Sequence, residues 1–112
     1  MVLELNKKEI SAVLMALLDT LEFLVKDYRE LTDRLNQPPG LSVKEIRTLV
    51  CVCYQVTGVC KTIVFYISVI NDKGDYDDQL KDMQELIEEM KAAVEPYELL
   101  SKRKSATNRD FN

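Results

Sequence analysis

Histidine and tryptophan are absent from this 112-residue sequence, and glycine, proline and cysteine occur only three times each. Without imidazole there is no Ser-His-Asp or Cys-His nucleophile, no His-containing zinc site and no Glu-x-x-His di-metal bundle. The scarcity of Gly and Pro excludes collagen-like and loop-rich chains, and a 46 % hydrophobic content excludes intrinsic disorder. A Walker A loop, a Gly-x-Gly-x-x-Gly turn and a Cys-x-x-Cys pair are also missing. Glu85-x-x-Glu88 has the spacing of half a helical carboxylate metal site. The facing segment, however, has no acid between Glu45 and Asp72, so that assignment is rejected. The sequence therefore predicts no enzyme activity, no cofactor and no metal.

The three cysteines, Cys51, Cys53 and Cys60, fall within ten residues of one another in an apolar stretch. Residues two apart point to different sides of a helix, so Cys51 and Cys53 cannot pair there, and the odd number would leave a thiol over. All three are expected to be buried, structural and reduced. The N-terminal apolar run is interrupted by Glu9, Asp19 and Glu22 at helical spacing, without a small-residue cleavage pattern. A cytoplasmic location is expected.

Two turn signals divide the chain. Asn36-Gln37-Pro38-Pro39-Gly40 cannot continue a helix, and Asn71-Asp72-Lys73-Gly74-Asp75 is a polar break. Before the first lies a heptad seam, Ile10, Leu14, Leu17, Leu21, Leu24, Tyr28, Leu31 and Leu35, entered through Asn6 and Glu9 at capping-box spacing. A second box, Ser42 and Glu45, precedes the seam Ile46, Leu49, Cys53, Val56, Cys60, Ile63, Ile67 and Ile70. The third seam runs through Tyr76, Leu80, Met83, Ile87, Met90, Val94 and Tyr97, with Pro96 placed to kink or end it.

These spacings predict helices over about 6–35, 43–71 and 77–99, in a single domain spanning 1–100. Short connections favour antiparallel neighbours, giving an all-α, up-down-up three-helix bundle. Residues 101–112 read as a polar, flexible tail whose Lys102, Arg103, Lys104 and Arg109 are basic.

The second helix departs from simple amphipathicity. Beyond its seam it carries Val50, Val52, Tyr54, Val59, Val64, Phe65, Tyr66 and Val69. A helix that is apolar all round must be covered all round, and two amphipathic neighbours cover only part of it. Val52, Tyr54, Gly58, Val59, Phe65, Tyr66 and Val69 are accordingly expected at a homo-oligomer interface, dimeric or higher, built from central helices. Gly58 suits close approach of another backbone. An alternative places 49–70 across a membrane, which Lys61, Gln55, Thr57 and Thr62 oppose. Another makes Tyr54, Lys61 and Tyr66 line a small-molecule pocket between subunits.

Net charge is −4, and residues 75–100 hold nine of the nineteen acids. Asp78, Asp82, Glu85, Glu88 and Glu89 lie away from the apolar stripe of the third helix and form a candidate acidic face for a protein partner. The acidic body argues against nucleic-acid binding despite the basic tail. Ala12, Ala16 and Phe23, with Met15 beside them, form a second apolar line on the back of the first helix. The functional expectation is a small oligomeric protein that binds another macromolecule as adaptor, regulator or inhibitor, a makeup shared with accessory proteins of phages and mobile elements.

Overall fold

A computed structural model describes residues 6–70 and 74–110, with side chains as far as 98. The described residues form α1 (Lys7–Leu35), α2 (Val43–Ile70) and α3 (Asp77–Asp110), with no strand among them. This is the all-α, three-helix architecture that the seams predict.

The Ser42–Glu45 capping box forms in full, and the Asn6–Glu9 one forms its side-chain-to-amide half. The Asn6 side chain accepts from the Glu9 amide at 2.9 Å and donates to the Glu9 carboxylate at 2.6 Å. At the start of α2, Ser42 Oγ accepts from the Glu45 amide at 3.2 Å, while the Ser42 amide donates to Glu45 Oε1 at 3.1 Å. Two otherwise orphaned backbone donors are thus satisfied at the entry to α2 and one, the Glu9 amide, at the entry to α1. The same Glu45 pairs with Arg34 across the 36–42 connection. The Ser42 hydrogen bonds, then the Arg34 guanidinium, hold the Glu45 carboxyl below its ordinary range. Gly40 occupies φ +82°, the left-handed region where a β-carbon is strained, and its amide bonds Gln37 O at 2.7 Å.

The helix ends differ from expectation mainly in α3, which continues through Pro96 to Asp110 instead of stopping near 99. Pro96 lacks the N–H that would bond the carbonyl of Ala92, but its disturbance is confined to the preceding turn. The residues after it include no Gly or second Pro, and Glu, Leu, Lys, Arg and Ala are strong helix formers. The side chains of Lys102, Arg103, Lys104 and Arg109, and the turn residues 71–73, lie outside the described parts.

The helices alternate in direction. Arg34 meets Glu45 beside the first connection, and Leu17, Thr20 and Leu24 in the middle of α1 share a groove with Gln55, Gly58, Val59 and Thr62 in the middle of α2. Tyr54 of α2 donates to Glu98 of α3 at 2.5 Å, far from the short connection joining those two helices. Such pairings require antiparallel neighbours.

Helix α2 packs on both α1 and α3, whereas no Cα of α1 comes within 8 Å of one in α3. Those outer helices meet through side chains: Glu89 of α3 reaches the Tyr28 hydroxyl of α1, whose pKa is raised by burial first and by that carboxylate second. The core between them is filled by Leu14, Leu21 and Tyr28 from α1, Met83, Met90 and Val94 from α3, and the α2 seam. Val56, Cys60 and Ile63 have no exposed surface. Removing each such apolar side chain from water contributes roughly 1.5–3 kcal/mol.

Candidate functional site

The residues expected at an α2 interface divide according to their position around the helix. Val52 is 7 % exposed and belongs to the core, correcting its assignment to the interface. It stands three residues after Leu49 and four before Val56, so the same arc that buries the seam buries Val52. Val59 and Tyr66 are half-buried and pack against the core. Gly58, Tyr54, Phe65 and Val69 are exposed. The Tyr54 hydroxyl is engaged by Glu98, and the Phe65 and Tyr66 rings meet edge-to-face at 5.7 Å.

The outward stripe of α2 is mixed in character, not continuously apolar. Phe65, 64 % exposed, and Val69, 53 % exposed, share it with Cys51, Gln55, Gly58, Lys61, Thr62 and Ser68. Two neighbours cover more of α2 than the all-round hydrophobicity implied, because their own separation lets large side chains enclose its seam. Cys51 is exposed on this stripe, against the expectation that all three thiols are buried. Cys53 and Cys60 are buried, and desolvation pushes both thiols up to about 11, with the nearby Glu89 charge adding to the shift at Cys53.

Lys61 is exposed and makes no ion pair among the described residues. Tyr54 and Lys61 lie seven residues apart on one stripe, while Tyr66 turns toward the core. Within one chain these three do not converge. A shallow, open concavity lies between α1 and α2, has a volume of about 500 Å³ and is lined by Leu17, Thr20, Leu24, Gln55, Gly58, Val59 and Thr62. A β-carbon built on Gly58 would meet nothing within 4 Å, so the fold of a single chain does not require glycine there. The groove was legible only in part: Leu17 and Leu24 read as seam, whereas Gln55 and Thr62, three before and four after Gly58, were the overlooked signal of a polar, small-residue stripe.

Phe23 stands beside the groove, three residues after Thr20, and is 74 % exposed. Ala12, Met15 and Ala16 are exposed on the same back of α1. On α3, Asp78, Asp82, Glu85, Glu88 and Glu89 are all exposed. Glu89 is nevertheless directed to Tyr28 and Cys53, and Glu88 lies 3.9 Å from Lys91. Asp78, Asp82 and Glu85 form the open part of that row.

No metal-binding group of three or more His, Cys, Asp or Glu residues occurs among the described residues. Helix α2 is long and apolar enough, by length and composition, to cross a membrane. Its most apolar side, however, is the one already covered by α1 and α3. No family profile, curated protein or solved structure matches the chain.

Proposed function

We propose that the chain is a small, homo-oligomeric helical bundle that acts by binding another macromolecule, as an adaptor, regulator or inhibitor rather than as an enzyme. The observation that carries this reading is the set of large apolar side chains held in solvent on adjacent helices: Met15 and Phe23 on α1, Phe65 and Val69 on α2. A fold that buries the middle of its seams and still exposes two phenylalanines has apolar surface to give to a contact. The polar residues between them, Gln55, Lys61 and Thr62, suit a protein contact and oppose a lipid one. An intramembrane helix would present the reverse arrangement, apolar outward and polar inward. A cytoplasmic setting agrees with this reading.

Affinity purification of the tagged chain from its own cells tests it, with the Phe23→Asp and Phe65→Asp double variant as the comparison. The expected result is a co-purifying macromolecule retained by the native chain and lost by the variant, both remaining soluble without detergent. Capture that is identical for the two, or no capture by either, refutes binding through this surface. A requirement for detergent would favour the membrane alternative. A small molecule that raises the melting temperature of the native chain, with Tyr54 or Tyr66 required, would favour the ligand-binding bundle.

A further inference from the structure

We infer that the groove between α1 and α2 receives a second copy of this chain, so that the α1–α2 pair and its two-fold mate together form a four-helix core with Gly58 at its centre. This deepens the proposed function by naming one occupant of the docking surface, and it rests on that reading.

Charge supports the choice of partner. The outward stripe of α2 carries Arg47 and Lys61 without an acid, while the flank of α1 carries Asp19 and Asp27 against one base, Lys26; all five are exposed. Two α2 helices placed squarely face to face would bring like charges together. Offsetting each α2 onto the partner's α1 flank brings opposite charges together twice, once on each side of the axis.

Shape supports it as well. An isologous contact needs every projection to find a hollow on the same surface of the mate. Phe23 on α1 and Phe65 on α2 are the exposed projections, and the groove of about 500 Å³ that Gly58 helps to line is the hollow. Glycine inside a helix is a destabilising choice, and nothing within a single chain occupies the space beside it. Close approach of a second chain supplies the reason that the single chain lacks.

The available area is sufficient. Helix α2 has 28 residues, about 42 Å at 1.5 Å per residue. Two helices about 10 Å apart present a face roughly 20 Å wide. Burial of that whole face, about 800 Å² per copy, would reach the size of a stable protein–protein contact.

The test is sedimentation equilibrium of the full chain across micromolar dilution. The expected mass is that of a dimer. Lys61→Glu should raise the dimer dissociation constant at least about tenfold, as should Asp19→Lys combined with Asp27→Lys. Combining all three reversals should restore it to within a few-fold of native. Gly58→Gln, whose side chain enters open space in one chain, should keep native helicity by circular dichroism yet also weaken the dimer at least about tenfold. A native monomer, a mass above the dimer, an unchanged dissociation constant in Gly58→Gln and Lys61→Glu, or no restoration by the triple reversal would each overturn the inference. A monomer that still captures a macromolecule through Phe23 and Phe65 would sink this arrangement and leave the proposed function standing.

Discussion

The cysteines offer a quantitative test of how α2 is covered. Cys51 lies on the outward stripe, while Cys53 and Cys60 are 1 % and 0 % exposed. Desolvation raises the two buried thiols from an ordinary 9.0 to about 11, which at pH 8 leaves about a hundredfold less thiolate, the reactive form. A reagent must also wait for an opening of the core. If opening costs about 5 kcal/mol, the low end for small domains, the thiols are accessible roughly one part in five thousand of the time. Opening re-solvates the thiol and relieves that shift, so the opening equilibrium sets the rate, and Cys53 and Cys60 should react roughly 5,000-fold more slowly than an exposed thiol. A chromogenic disulfide reagent added to dilute native protein should therefore show one fast thiol per chain, with the other two released only in denaturant. Mass spectrometry should place the fast label on Cys51. Two or three fast thiols, or a fast label on Cys53 or Cys60, would refute the orientation of α2. Because Cys51 stands seven residues before Gly58, its rate should also fall as protein concentration rises through the dimerisation range. A rate independent of concentration would place Cys51 outside the contact between copies.

Ile63→Ala removes the centre of the α2 seam at a site with no exposed surface, and should lower unfolding stability by about 2–5 kcal/mol; denaturant titration showing less than 1 kcal/mol would mean the α1–α3 gap is less well filled than described. Ser42→Ala should lower stability by about 1 kcal/mol through loss of the α2 cap. Because Glu45 has a lowered folded-state pKa, its stabilising contribution is present above its unfolded pKa and is lost as pH falls through the folded value. Acid titration of the native and Ser42→Ala chains should therefore show a shallower loss of stability in the variant, and parallel curves would contradict the coupling between Ser42 and Glu45.

The fold was largely legible because its signals are local. Asn6 with Glu9 and Ser42 with Glu45 mark helix entries at fixed spacing, and the Pro38-Pro39-Gly40 break leaves no continuous alternative. Only the end of α3 was misplaced. The sequence reading gave Pro96 more weight than the helix-forming residues after it, whereas a proline chiefly disturbs the turn it follows. Candidate site residues were less legible because their exposure depends on where neighbours sit. Val52 and Phe65 are both large apolar residues on α2, yet one is covered and the other is not. Periodicity assigns each a direction around the helix without stating how wide an arc α1 and α3 cover. Cys51 was misread for the same reason: proximity to Cys53 in sequence puts it on the opposite side of the helix.

The apolar surface that matters most is composite, which explains why neither contributing helix announces it. Along α1, Phe23 follows Ala12, Met15 and Ala16 but is flanked by Asp19, Glu22, Lys26 and Asp27; along α2, Phe65 and Val69 are separated by Ser68 and preceded by Lys61 and Thr62. Either stripe read alone is an ordinary polar face with scattered apolar residues, which surfaces tolerate. Antiparallel packing changes their meaning by bringing Leu17, Thr20 and Leu24 alongside Gln55, Gly58, Val59 and Thr62. The two helices then enclose a hollow, while Phe23 and Phe65 remain exposed on the same pair of helices. The charges acquire meaning in the same step, because the acids Asp19 and Asp27 stand on one helix of the pair and the bases Arg47 and Lys61 on the other. Helix pairing thus turns two weak, separate patterns into one surface with projections, a hollow and paired charge signs, the features that an isologous contact requires.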